Sequence, residues 1–300
     1  MDISIIIVNY KTVSLIMDCI KSIKEFTSDI DYEIIVVDNN SNDDFQSKIQ
    51  SVYSDVICIP LKSNMGFGVA NNEGFKVAKG RNLLCLNPDT ILLNNAIKIL
   101  SNYLDSHNHV GACGGNLFDE NMKPSLSFRR ILPSIYWEIN ELCWLLPERI
   151  QYRSNRIFNN TSNPFSVGYI TGADLMIKRI VIDEVGGFSP DFFMYYEETD
   201  LCNRIKNQGW DIHSVPYAKI MHLESKSFNN HDNYINKKKV AFIEKGRKVY
   251  YCRNHTKLYQ KIANAIYVVF LCSRMFLLRL NRDRRWEVYK THLELRKTLV

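Results

Sequence analysis

Glycine and proline are scarce, 13 and 8 in 300 residues, which excludes collagen-like and low-complexity chains. No CxxC pair occurs among the eight cysteines. The nearest two, Cys252 and Cys272, stand twenty positions apart, so zinc-knuckle spacing is missing. Most cysteines sit inside apolar runs and read as buried thiols in a reducing compartment. There is no GxSxG elbow, no GxxxxGKS or GxxxxGKT loop and no HExxH pair, so hydrolase, P-loop and zincin readings lose their support. No basic stretch precedes the apolar residues 3–8, so no signal peptide is expected. No apolar run reaches eighteen uninterrupted residues. The nearest, 262–280, is broken by Asn264, Ser273, Arg274 and Arg279 and reads as a poor transmembrane span.

What is present suits a folded globular chain: 46% hydrophobic, 12% aromatic and 23% charged residues. The length allows two domains or one large α/β domain with an appendage. Charge is split unevenly. Residues 237–300 carry 17 Lys+Arg against 4 Asp+Glu, whereas the first 236 carry 21 against 28. A basic tail on a mildly acidic body points to an anionic partner, membrane or nucleic acid.

The first hundred residues alternate short β-branched runs with helical periodicity. Residues 3–8, 33–37, 56–61 and 82–86 predict strands, and 13–26, 69–78 and 91–104 predict helices. This order gives βαβ units and a parallel sheet, in which ligands gather at the carboxyl ends of strands. Beyond Val110 the pattern predicts strands over 111–118 and 168–178, helices over 134–146 and 199–208, and a mobile polar loop over 151–164. Two short strands follow, at 211–215 and 218–222, and residues from 233 onward read as basic helices.

Four places along this order carry chemistry-bearing residues. Asp38 closes an apolar run and precedes Asn39-Asn40-Ser41. An acid there accepts from a ribose hydroxyl or a pyrimidine N–H, or serves as a turn residue. The segment Asn64-Met65-Gly66-Phe67-Gly68 resembles a glycine-rich phosphate loop, although Asn71 stands where a dinucleotide fingerprint has its third glycine. Asn87-Pro88-Asp89 offers a carboxylate for a divalent cation beside a diphosphate, or caps the next helix. Residues 192–200 set three carboxylates, Glu197, Glu198 and Asp200, behind a run of aromatics. The helix dipole accounts for part of this cluster. A carboxylate in an apolar wall also has the raised pKa of a general base. His222 ends a predicted strand; a lone histidine is more often structural than a ligand.

Taken in order, these pieces resemble the family-2 glycosyltransferases of the GT-A fold, and within them the rhamnosyltransferase-like branch that builds surface polysaccharides such as O-antigen and capsule. The anchors are Ile6 to Tyr10, Ile35 to Ser41, Asn64 to Gly68, Asn71 to Gly74, Asn87-Pro88-Asp89, Gly172-Ala173, Gly186-Gly187-Phe188 and Phe193 to Leu201, spread over residues 3 to 225. The resemblance implies an α/β fold with a Rossmann-like, mostly parallel sheet flanked by helices and a helical, basic C-terminal extension. It implies a glycosyltransferase domain over 1–228, with a nucleotide-binding half to about 105 and an acceptor-binding half after it, and a C-terminal region over 229–300. Val8, Asn9, Tyr10, Asp38, Asn64 and Gly66 are expected to bind the nucleotide, and Asn71, Asn87 and Asp89 the donor sugar and diphosphate. Asp89 and His222 are expected to hold Mg2+ or Mn2+. Asn87 replaces the first acid of the family's DxD motif. Glu198 stands at the catalytic-base position, with Gly172, Ala173, Asp174, Glu197 and Asp200 on the acceptor side. The implied reaction is inverting transfer from a nucleotide-diphosphate sugar, dTDP-rhamnose first and UDP-sugars next, to a glycan or lipid-linked glycan.

The basic tail brackets an amphipathic stretch with Lys237 to Lys239 before it and Arg282, Arg284 and Arg285 after it. That suits the anionic inner face of a cell membrane, placing a cytoplasmic enzyme peripherally beside its acceptor. A core or homodimer helix is the other reading. Nucleic acid is not expected as a partner, since no recognised module interleaves aromatics with the basic residues. A nucleotidyltransferase would need a basic glycine-rich loop after the first strand, where Asn9-Tyr10-Lys11-Thr12 stands. A non-catalytic nucleotide- or glycan-binding module would leave the acids of 197–200 dispensable.

Overall fold

The computed structural model describes residues 1–223 and 237–299. In chain order the elements begin β1 (Ile3–Asn9), α1 (Val13–Phe26), β2 (Tyr32–Asp38), α2 (Phe45–Gln50), β3 (Ile57–Pro60), α3 (Phe67–Val77), β4 (Asn82–Leu86), β5 (Thr90–Leu92) and α4 (Ala96–Ser106). They continue with β6 (Val110–Phe118), β7 (Phe128–Arg129), α5 (Ile135–Leu142), α6 (Leu146–Tyr152), β8 (Phe165–Ser166), β9 (Tyr169–Ile170), β10 (Asp174–Lys178), α7 (Arg179–Val185), α8 (Glu197–Asn207) and β11 (Asp211–His222). Three helices close the chain: α9 (Lys237–Asn254), α10 (Lys257–Leu280) and α11 (Trp286–Leu299).

One sheet runs β3-β2-β1-β4-β10-β6-β11-β5, with β8 beside β11, and β7 pairs separately with β9. Strands β1 to β4, β6 and β11 point one way, while β10, β5 and β8 run against them. Successive side chains of a strand leave on opposite faces, and both faces here are apolar. Ile3, Ile5, Ile7, Ile34 and Val36 meet α1 and α4. Ile6, Val8, Ile35, Val37 and Leu83 meet α3, α7 and α8. Doubly covered strands of this kind read as continuous hydrophobic runs, which is why their positions are plain in the sequence.

Several expectations are corrected. The helix expected over 91–104 begins only at Ala96, because Thr90–Leu92 pairs as an edge strand with β11. The strand expected over 168–178 is two strands, broken at 171–173, where the chain crosses from the small sheet to the large one. The helix expected over 134–146 ends at Leu142, and another starts at Leu146 with Pro147 in its first turn. The pair at 211–215 and 218–222 is one strand whose register shifts between Ser214 and Lys219, around Pro216. The stretch 151–164 is not simply a polar loop: Asn159 is buried and exchanges hydrogen bonds with Asn116 at 2.8 and 3.1 Å. Of the cysteines, most of them expected inside, Cys19, Cys85, Cys113 and Cys202 are buried, Cys58 is half-buried, and Cys143, Cys252 and Cys272 are exposed.

The proposed division near residue 105 falls inside α4, and the main sheet runs through both halves. The one at 228 lies outside the described residues. Helix α10 is long and apolar enough to cross a membrane by length and composition, with mean hydropathy 1.6 over its most apolar stretch, contrary to the poor span expected. Only 22% of that stretch is buried in the fold. The C-terminal helices pack on the body through Arg247 of α9, whose guanidinium bonds Glu138 of α5 at 2.8 Å with both groups buried.

Candidate active site

The parallel strands end along one edge, and the expected nucleotide residues lie there. Asn9 ends β1, fully buried, and its amide donates to Asp38 Oδ1 at 2.7 Å and Ser41 Oγ at 3.2 Å. Asn9 Oδ1 accepts from the Thr12 backbone and hydroxyl, at 3.0 and 3.1 Å. Asp38 Oδ2 accepts from Ser41 N–H at 3.0 Å. The carboxylate is thereby fixed at the end of β2 by the neighbouring strand and its own turn. The Val8 side chain is committed to the core, while the Tyr10 ring is exposed at the strand end.

The next layer is the loop before α3. Asn39 reaches it with both ends of its amide, accepting from Met65 N–H at 2.7 Å and donating to Gly66 O at 3.2 Å. Asn64 Oδ1 accepts from Gly66 N–H at 3.0 Å. Gly66 has φ +84, and a Cβ there would sit 2.2 Å from Phe193 O, so only glycine fits. Phe67 N–H donates to the same carbonyl at 3.1 Å. This loop is thus hydrogen-bonded to the segment that leads into Glu197 and Glu198. Asn71 is buried, donates to Phe67 O at 3.0 Å and keeps Oδ1 without a hydrogen-bond partner among the described residues.

Asn87, Asp89 and His222 converge at the other side. The antiparallel pairing of β5 with β11 sets Thr90 opposite His222, which brings His222 Nε2 to 3.3 Å from Asp89 Oδ1 and 3.2 Å from Asn87 Nδ2. Asp174 lies within electrostatic reach of His222. Burial pushes its carboxyl up to about 7, opposed by the Gly115 N–H bond and by His222.

The third group is the start of α8. Tyr195 and Tyr196 both adopt left-handed backbone, φ 67 and 73, a conformation costing bulky residues about 1–3 kcal/mol each. This turn delivers Glu197, buried, and Glu198, partly exposed. Burial pushes the Glu198 carboxyl up to about 7, against bonds from the Glu198 and Thr199 N–H groups and the Thr199 hydroxyl. The Glu197 carboxyl is held well above its ordinary range, by burial and then by the charge of Glu198. Behind the turn stands α9: a Cβ on Gly246 would lie 2.5 Å from Tyr195 O, and Phe193 stacks on Phe242 with centroids 5.0 Å apart. Segment 169–174 joins the base side to the Asp89 side. Tyr169 feels the charge of Glu198, Gly172 lies against the Phe67 ring, and Ala173 O accepts from Asn87 N–H at 3.0 Å.

The sequence matches the family described as glycosyl transferase family 2 over residues 4–186. The chain belongs to that family. A Mycobacterium tuberculosis N-acetylglucosaminyl-diphospho-decaprenol L-rhamnosyltransferase is 26% identical over 216 residues, 65% of this chain and 67% of that protein. The Shigella flexneri dTDP-rhamnosyl transferase RfbF is 26% identical over 192 residues, 63% of this chain and 59% of that one. By family and relatives the protein is a glycosyltransferase of the rhamnosyltransferase-like kind. The crystal structure of S. aureus TarS 1-349 matches all of this chain and 91% of its own, with TM-score 0.53 and 16% identity. GalNAc-T7, solved with UDP, GalNAc and Mn2+, matches 74% of this chain at TM-score 0.57 and 16% identity. This chain spans 44% of that GalNAc-T7 chain. The fold is GT-A, with a helical C-terminal extension.

In this glycosyltransferase the residues expected from sequence fall into three situations. Asn9, Asp38, Asn64, Gly66, Asn87, Asp89 and His222 lie along the strand-end edge. Glu197 and Glu198 open α8, which connects to that edge through Phe193 and segment 169–174. Asp200 points elsewhere: buried, it pairs with Arg204 at 2.9 Å and Arg253 at 3.5 Å, tying α8 to α9. Asp174 is wholly buried in the sheet behind His222. The Gly186-Gly187-Phe188 anchor is structural, clasped by Asn72 at 2.8 Å and by Arg204 on the 185–187 carbonyls. Sequence reasoning noted Asn39 after a strand-end acid but gave it no role of its own. It read α9 as a basic helix but missed the contacts of α9 with the turn before α8, which bridge about fifty residues and leave no local trace.

Proposed function

We propose that this glycosyltransferase transfers rhamnose from dTDP-rhamnose to a lipid-linked glycan by inverting single displacement, in bacterial surface-polysaccharide synthesis. One observation carries the reading: a carboxyl group pushed up to about 7, Glu198, stands at one end of segment 169–174, and the Asp89–His222 pair stands at the other. Fully extended, that segment spans at most about 17 Å, which supports placing both groups on one cleft.

Asp38, oriented by Asn9, receives the nucleobase or ribose, with the exposed Tyr10 ring beside it and the Val8 backbone at the strand end. The loop at Asn64 and Gly66, with Asn71 behind it, receives the diphosphate. Asp89 and His222 suit one hard divalent cation, Mg2+ or Mn2+, with Asn87 adjoining. Their 3.3 Å separation is near the roughly 3.0 Å between neighbouring ligands of an octahedral shell. When bound, the ion neutralises charge on the departing diphosphate. Glu198 takes the proton of the acceptor hydroxyl. The oxygen attacks the anomeric carbon from the opposite side, and the bond to the diphosphate breaks with its electron pair. Glu197, Gly172 and Ala173 border the acceptor.

The M. tuberculosis and S. flexneri relatives support the rhamnose donor and the lipid-linked acceptor. UDP-sugars are the second reading, favoured by the UDP of GalNAc-T7. Exposed Leu258, Ile262, Val269, Phe276 and Leu280 form a stripe on α10, flanked by basic residues, which supports peripheral docking on an anionic inner membrane face. Thermal shift with dTDP-rhamnose, UDP-sugars and GDP-sugars, with and without Mn2+, tests the donor. The largest rise is expected with dTDP-rhamnose plus metal. A larger rise with a UDP-sugar selects the second reading, and no shift with any donor overturns both.

A further inference from the structure

Three side chains meet at the opposite end of the sheet from the cleft. His109 precedes β6, and Asp211 and His213 open β11. One ligand atom from each lies within 4.8 Å of the others. Asp211 Oδ2 is 3.8 Å from His109 Nε2 and 3.9 Å from His213 Nε2. The backbone under them is already fixed, since Asp211 N–H donates to His109 O at 2.9 Å.

A second feature orients the cluster. The Tyr103 hydroxyl is 2.7 Å from His213 Nδ1, and Tyr103 stacks on His107 with centroids 4.0 Å apart. With Nδ1–H donating to the Tyr103 oxygen, the lone pair of His213 is on Nε2, the atom facing Asp211. An imidazole set by a hydrogen bond on its far nitrogen is how metal-ligating histidines are held. We propose that His109, Asp211 and His213 form a zinc site with one position open to water, clamping the amino-terminal ends of β6 and β11.

The chemistry and the spacing agree. Two imidazoles and one carboxylate select a borderline transition ion over Mg2+ or Ca2+. Tetrahedral zinc with bonds of about 2.1 Å places its ligands roughly 3.4 Å apart, so the two measured pairs need to close by about half an ångström. His109 is 63% exposed and has room to move. The neighbouring cations are engaged elsewhere: Lys178 donates to His107 O at 2.9 Å and Lys206 to Val167 O at 3.1 Å. The site is separate from the candidate catalytic cation. His222 lies nine residues further along the same strand, roughly 30 Å when fully extended. Linear spacing conceals the cluster, because 102 positions separate His109 from Asp211.

Tag-free full-length protein dialysed against Zn2+ tests the site. The parent should retain one zinc per chain and gain Tm. Asp89→Ala/His222→Ala should retain it, and His109→Ala/His213→Ala should lose it at the concentration that saturates the parent. Tyr103→Phe should weaken zinc binding about 10–100-fold without changing Mn2+-dependent donor binding. The single His109→Ala variant changes an exposed residue and keeps the test open should the double variant misfold. Co2+ added to the parent should give the visible absorption of a tetrahedral site. Unchanged zinc in the His109 and His213 variants, loss of zinc only in the Asp89 and His222 variant, or a parent with neither zinc nor a cobalt band would overturn the proposal.

Discussion

On the nucleotide flank of the cleft, Asn9, Asp38 and Ser41 hold one another across two adjacent strand ends, at 2.7 to 3.2 Å. On the base flank, Glu197 and Glu198 follow two tyrosines in left-handed backbone and rest against a helix about fifty residues later in the chain. The first flank is built from short polar side chains satisfying each other, an arrangement that stays put without outside help. The second stores conformational strain and buried carboxyl groups at the position of the proposed proton transfer, and relies on distant packing to hold them. Pre-organisation is therefore local on one side and borrowed on the other.

The sharpest way to separate the flanks is Glu198→Gln. Transfer should fall about 10²–10⁴-fold while donor thermal shift stays intact; turnover within a few-fold of the parent would remove Glu198 from its role. The same group predicts two pH effects of opposite sense. The rate should rise with pH through about 7, where Glu198 loses its proton. Stability should fall as pH rises from about 4.5 to about 7. The folded chain holds that proton up to about 7 and the unfolded chain only to about 4.5, so the folded state binds more protons in between and loses stability as pH rises. Glu198→Gln should recover that loss above pH 7, read by urea titration at pH 5 and pH 8.

Breaking the support behind the base comes next. Arg247→Met leaves Glu138 buried without its ion partner and should cost about 3–5 kcal/mol in urea unfolding. A cost below 1 kcal/mol would show that the brace carries little. Gly246→Ala is subtler, since its Cβ would press on Tyr195 O. It should lower kcat about 10–100-fold, as small misplacements of a catalytic group do, with KM for the donor nearly unchanged. Equal damage to both parameters would mean the flanks are not independent. Asn39→Ala should do the reverse, raising donor KM by about 1 kcal/mol worth, roughly fivefold, with kcat preserved.

The sequence exposed the parts whose causes are local. Residues 13–26 and 82–86 were legible to the residue, because one needs only helical periodicity and the other an apolar run buried on both faces. Strand-end acids such as Asp38 and Asp89 followed from chain order. Thr90–Leu92 was hidden because three edge-strand residues run into an apolar helix, and β11 was split because Pro216 interrupts a strand that continues through a register shift. The assignment of Asp200 to the acceptor side took a helix-start acid at face value. Its partners Arg253 and Asn254 lie more than fifty positions away. Spacing along a chain cannot register which distant arginine will neutralise a buried carboxylate.

The contact between Gly246 and the carbonyl of Tyr195 bears on where this protein can be cut. The family match stops at residue 186, twelve positions before Glu198. A recombinant fragment trimmed there lacks Glu198, the proposed base, and one extended to Leu223 regains the carboxylate but leaves its turn unsupported. Such a fragment should still recognise nucleotide and yet turn over slowly, so the smallest working piece of this enzyme reaches well past the family match.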